Sequence, residues 1–106
     1  MTKISVHLQA GVDSYNRGDY ETALKKFLPL AEQGDAAAQF NLGKMYRKGQ
    51  GVPQDYAEAM KWYRLAADQG LENAAKGLEV LEKVMTPAQI AEAQRLAKEW
   101  KAKGMQ

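Results

Sequence analysis

The sequence predicts an all-α fold, a right-handed α/α solenoid of three antiparallel helix hairpins, and three observations carry that expectation. The first is an internal repeat. Shifting the 106-residue chain by 36 positions lays Tyr20 on Tyr56, Ala23 on Ala59, Lys25 on Lys61 and Ala31 on Ala67. The same shift lays Gln33 on Gln69, Gly34 on Gly70, Ala38 on Ala74 and Leu42 on Leu78, while Leu24 over Met60 and Phe27 over Tyr63 keep size and polarity. A register that holds through a turn and into the next element marks a repeated supersecondary unit. The second observation is helix punctuation at the edges of each unit, and the third is that no segment alternates apolar and polar residues for long enough to read as a strand.

The elements follow in order as six helices, at roughly 3–17, 20–33, 36–48, 55–69, 71–84 and 87–103. Asp19 and Asp55 stand where N-caps belong, and Asp55 with Glu58 has capping-box spacing. Pro29 falls inside the second helix, removes a backbone donor and crowds the carbonyl of Lys25, so a kink is expected there. Thr86-Pro87-Ala88-Gln89 is a stronger start signal, combining a cap, a proline at the first helical position and a glutamine that can reach back. Gly34, Gly70 and Gly104 supply stops. The short connections make neighbours antiparallel. They divide the single domain (1–106) into hairpins at about 3–34, 36–70 and 71–104. Alanines 38, 59, 66, 67 and 74 permit close helix approach, and Leu42, Tyr46, Trp62, Tyr63 and Leu78 fill the gaps. The last helix carries an inner stripe of Ile90, Ala93, Leu96, Ala97 and Trp100, as a closing cap requires.

Composition narrows the chemistry. At 45% hydrophobic and 26% charged the chain has a globular balance. A net charge of +2 is too small to imply nucleic acid or a membrane surface. The absence of cysteine excludes disulfides, zinc ribbons and thiol nucleophiles. The N-terminal MTKISVHLQAG has no apolar run of the length a signal peptide or a membrane span needs, and the compartment is not readable.

The stretch YRKGQGVPQDY, Tyr46 to Tyr56, raises the question of a phosphate-binding loop. Such loops follow a strand and deliver a Lys-Ser/Thr pair into a helix. Here the glycines follow a helix and no such pair comes after them, so Gly49-Gln50-Gly51-Val52-Pro53 reads as a turn. Gly51 is expected at positive φ, with Val52 plugging the hairpin end. His7, the only histidine, cannot build a multi-histidine metal site, and Ser5, His7 and Asp13 on one helix do not make a triad. Acids Glu21, Glu32, Glu58, Asp68 and Glu72 alternate with lysines as on a solvated face. Trp62 and Tyr63 read as core. Lys98, Lys101 and Lys103 are interrupted by Glu99 on a helix with an alanine-rich apolar face, which favours a cap over a membrane helix. No catalytic residue, metal ligand or cofactor is expected.

Two segments resemble a known family. Ala38-xxx-Leu42-Gly43-xx-Tyr46-xx-Gly49-x-Gly51-Val52-xx-Asp55, followed by Ala59-xx-Trp62-Tyr63-xx-Ala66-Ala67-xx-Gly70, resembles a Sel-one-like repeat, a relative of the tetratricopeptide repeats with a longer loop inside the hairpin. Gly11, Tyr15, Gly18-Asp19-Tyr20, Ala23 and Phe27 are more similar to a tetratricopeptide hairpin. The third unit departs, with Glu79 and Glu82 at the positions of Gly43 and Tyr46, as terminal repeats do. The resemblance implies a non-enzymatic adaptor or scaffold of bacterial style that binds a protein or peptide. Cysteine-rich relatives are linked to hydrolysis of antibiotics, and this chain lacks their cysteine pairs.

In related repeats the first helix of each pair lines the concave face. By register that places Leu8, Val12 and Tyr15 there from the first unit, Phe40, Lys44, Arg47 and Lys48 from the second, and Lys76, Val80 and Lys83 from the third. No acid occurs between Ala36 and Gly51. The expected groove is apolar at one end and basic at the other, suited to a partner segment with acidic residues. The chain is expected to act as a monomer; the rival expectation is a structural homo-oligomer stacked through its end hairpins.

Overall fold

The computed structural model describes residues 5–104. Six helices follow one another: α1 Val6–Asn16, α2 Tyr20–Glu32, α3 Ala36–Lys48, α4 Tyr56–Asp68, α5 Glu72–Val84 and α6 Pro87–Ala102. Among the described residues there is no strand. Residues 3 and 4, expected in the first helix, lie outside the described residues.

Capping chemistry sets most of these starts. Ser5, Asp19, Asp35 and Asp55 each accept a hydrogen bond from the backbone N–H three residues on, satisfying a donor the helix itself leaves free. At α6 the full reciprocal box forms, Thr86 accepting from Gln89 N and Gln89 accepting from Thr86 N. The expected box at α4 is only half made, because the Glu58 carboxylate turns instead to Lys61 Nζ at 3.2 Å. Pro29 does not end α2, which continues to Glu32.

Packing repeats with the sequence. In hairpin α1/α2 a side chain at Gly11 would stand 2.6 Å from Phe27 Cε1; in hairpin α3/α4 one at Gly43 would stand 2.4 Å from Tyr63 Cδ1. In each pair a glycine on the first helix lets an aromatic ring of the second lie directly on backbone. Gly77 on α5 flanks Tyr63 in the same way, at 2.8 Å from Cε2. The loop Gly49–Asp55 folds back on the start of α2: Gly51 has φ +76°, and a β-carbon there would meet Tyr20 O at 3.0 Å, so only glycine fits without strain. Val52 is half-buried.

Two adjoining cores result. One joins Ala23, Phe27, Ala31, Ala38, Leu42, Met45, Trp62 and Leu65. The other joins Ala59, Met60, Tyr63, Ala66, Ala74, Leu81, Met85 and Ala93. A polar bridge crosses between repeats, buried at one end and open to solvent at the other: buried Gln39 Nε2 donates to Ala31 O at 3.1 Å, and exposed Gln69 Nε2 donates to Gly34 O and Gln39 Oε1. Because these amides are satisfied, they hold the stack together without the cost of an unpaired buried group.

The closing element departs from the hairpin expected over 71–104. α6 makes its main packing contacts with α4 and not with α5. Trp100 meets Trp62 edge-on with ring centroids 4.9 Å apart, and Lys101 forms an ion pair with Asp68. The apolar stripe of α6 finds more to bury on the outer face of α4, where Trp62 stands, than on α5, whose residues Val80 and Val84 stay 54% and 59% exposed.

Candidate functional site

α3, α4 and α5 position the site. Glycines at 43 and 77 admit the Tyr63 ring between α3 and α5, and Phe40 stacks on that ring with centroids 5.5 Å apart. Phe40, Lys44 and Arg47 follow one another at successive turns of α3, which puts them on one face. Asn73, Lys76, Gly77 and Val80 supply the opposite wall from α5. The result is a cleft of about 240 Å³ with an aromatic floor and cationic rims.

Each rim cation is held differently. Lys44 Nζ lies 4.9 Å from the Tyr15 ring centroid and 5.5 Å from that of Phe40, a cation–π arrangement that fixes the ammonium over the aromatic surface. Tyr15 is in turn anchored by donating to Gln50 Oε1 at 2.7 Å. Arg47 Nε donates to Tyr63 Oη at 3.3 Å, and its backbone carbonyl accepts from Gln54 Nε2 at 2.8 Å. Lys76 is exposed and pairs with Glu72 at 3.5 Å. Burial pushes the Tyr63 phenol above its ordinary pKa, with the Arg47 hydrogen bond and charge pulling the other way. Tyr46 is raised too, by burial first and then by Glu58 and Asp55. Both therefore stay neutral at physiological pH, and the cleft keeps its positive sign.

Of the residues placed in the groove by register, the structure brings Phe40, Lys44, Arg47, Lys76 and Val80 to this cleft. Tyr15 joins them through Lys44. Leu8 and Val12 do not line it; they pack half-buried against the first core. Lys48 lies in an adjoining hollow with Gln54, Tyr56, Val80, Leu81 and Val84. Lys83 is exposed and lines neither. Three lining residues escaped the sequence reading: Tyr63, Asn73 and Gly77. Tyr63 serves core and cleft at once. Asn73 and Gly77 sit one turn apart from each other and before Val80, a spacing that marks a common face of α5.

The arrangement is a stack of helical hairpins that offers a concave, cationic and aromatic surface. Residues 36–71 match the family model of the Sel1 repeat. Similar chains include the DAP3-binding cell death enhancer 1 of Rattus norvegicus, 40% identical over 63 residues. An exopolysaccharide production negative regulator of Rhizobium leguminosarum bv. viciae is 39% identical over 62 residues, and an F-box protein of Arabidopsis thaliana is 37% identical over 67. The alignments cover 59%, 58% and 63% of this chain and 12%, 23% and 18% of those proteins, so the chain spans less than a quarter of their length. Sel1 repeats mediate protein–protein interaction and are generally non-enzymatic. Among the described residues no helix is long and apolar enough to cross a membrane.

Proposed function

We propose that this chain is an adaptor module that holds a short acidic segment of a partner protein, bearing one or two large apolar side chains, in the cleft between α3 and α5. The observation that carries this reading is the lining itself: three cations rim a floor of stacked Phe40 and Tyr63, and no acid lines the cleft. Like charges in a concavity raise the local potential and steer an oppositely charged ligand, while the aromatic floor supplies the apolar contact that carries binding energy. A similar protein is named for binding another protein, which fits the same use of the repeat. The module acts as a monomer.

The test is binding of a synthetic peptide with one tryptophan flanked by glutamates. Lys44→Glu with Arg47→Glu should weaken it by about tenfold or more, since each removes an attraction and adds a repulsion. Lys25→Glu with Lys26→Glu, on α2 and away from the cleft, should change it by less than about threefold. Equal losses in both double variants, or affinity indifferent to salt, would remove the cleft assignment.

A further inference from the structure

A crevice between α4 and α6 gathers more cations than the carboxylate paired with them. Arg64 on α4 and Gln94, Ala97, Lys98 and Lys101 on α6 line a hollow of about 310 Å³. The α6 residues fall at i, i+3, i+4 and i+7, a single stripe of the helix, so both lysines and the glutamine amide face the same space.

Arg64 is the unusual member. Arg95 is held by Glu92 and Glu99, Arg47 donates to Tyr63, and Arg17 Nη2 donates to Ser14 Oγ at 3.3 Å. Arg64 is half-buried; among the described residues no carboxylate pairs with it, and its Nε is buried without an acceptor. A guanidinium with no carboxylate beside it is a ready ligand for an oxyanion, because its planar fork of donors matches carboxylate or phosphate oxygens. Among the described residues, the acid paired with this cluster is Asp68, which holds Lys101. Glu92 and Glu99 on α6 are already turned to Arg95. Three cations therefore line the hollow with no carboxylate among its walls, although Glu92 and Glu99 outnumber Arg95 by one negative charge along the same helix.

We propose that the α4–α6 crevice is a binding site for a phosphoryl dianion, with Arg64 as its central ligand and Lys98 and Lys101 flanking it. With three cations and no carboxylate lining the hollow, a dianion balances more of their charge than a single carboxylate can. Arg64 supplies the directional donors, the two ammonium groups act as point charges, and the Gln94 amide can donate alongside them. The site shares no lining residue with the α3–α5 cleft, so it stands or falls separately from the adaptor reading.

The test is a heteronuclear NMR titration of the full chain with three probes: inorganic phosphate, a phosphoserine peptide, and the same peptide with glutamate in place of phosphoserine. Inorganic phosphate should give saturable shifts in the residues around Arg64, and the phosphopeptide should do so too. A phosphopeptide bound about tenfold more tightly than inorganic phosphate identifies a modified protein as the source; equal affinities identify the small anion. Arg64→Gln should weaken phosphate binding by about tenfold or more, as loss of charge-assisted hydrogen bonds does. Asp68→Asn should tighten it by about threefold, because it frees Lys101 and removes the opposing charge. That opposite sign distinguishes a ligand site from a loss of fold. Absence of saturable shifts, a glutamate peptide bound as well as the phosphopeptide, or Asp68→Asn without a gain would overturn the proposal.

Discussion

Lys25 and Lys61 occupy the same position in the first two repeats, yet they live in different surroundings. The Lys25 side chain is 74% exposed and reaches Glu21 at 3.6 Å across the surface of α2. The Lys61 side chain is 9% exposed, pairs with Glu58, and places its ammonium 4.2 Å from the Trp62 ring centroid and 4.6 Å from that of Trp100. The next position diverges as well: Lys26 is half-exposed on α2, whereas Trp62 is 2% exposed on α4. Both helices present the same face outward, and among the described residues only α4 has another helix laid over that face. Burial here is a property of place in the stack and not of the repeat unit. The same cover accounts for the Trp62 indole N–H, buried without a partner, since α6 brings rings and methylenes to it in place of water.

The comparison can be broken most directly by truncation. Trp62→Ala should cost about 3–5 kcal/mol, through lost burial, a cavity, and loss of the edge-on contact with Trp100. Lys26→Ala, at the equivalent place in the uncovered repeat, should stay within about 0.5 kcal/mol. Urea denaturation reads both, and comparable losses would mean that α6 is not what separates the two repeats. A smaller difference is expected where the repeats agree. Gly11→Ala and Gly43→Ala should each destabilise by about 1–3 kcal/mol, because the new methyl overlaps an aromatic ring. The loss should be greater at Gly43: its methyl also meets Ala59 O at 3.2 Å, and Gly77 holds Tyr63 from the far side. Equal losses would show that the α5 side of the clamp yields.

How much of this could be read in the chain follows from the same contrast. Signals that act within a few residues were legible, namely the caps Asp19, Asp55 and Thr86, the stops and the positive φ of Gly51; so was the 36-residue register, by which Phe40, Lys44, Arg47, Lys76 and Val80 share one cleft. Signals that depend on which element covers which were not. The stripe Ile90, Ala93, Leu96, Ala97 and Trp100 says that α6 must bury one face, but it does not choose between α5 and α4. Lys61 in the sequence is indistinguishable from Lys25. Leu8 and Val12 have the apolar character that either a core or a groove would ask for. Tyr63 was legible as core, and its second role appears only when Gly77 arrives from the following repeat.

The finest distinction between the repeats is one oxygen atom. Phe27 and Tyr63 lie on their glycines in the same way, but Tyr63 carries a hydroxyl that accepts from Arg47 Nε. Tyr63→Phe makes the second repeat like the first at this point, and should lower stability near neutral pH by about 1 kcal/mol or less. Its clearer signature lies at alkaline pH. An unfolded tyrosine ionises near about pH 10. In the native state burial raises the Tyr63 value, and Arg47 offsets only part of that rise. Above about pH 10 the unfolded chain therefore holds fewer protons than the native one, and stability falls as pH rises through the native value. Below about pH 10, where both states hold the proton, the contribution is fully present. Tyr46, raised in the same direction, keeps part of the slope in the variant. Denaturation midpoints followed from about pH 7 to about pH 11 should thus fall less steeply for Tyr63→Phe than for the wild type. Parallel slopes would mean that water reaches the Tyr63 hydroxyl as freely as it reaches an unfolded tyrosine. The floor of the cleft would then be open from below, and the cation it positions would lose its support.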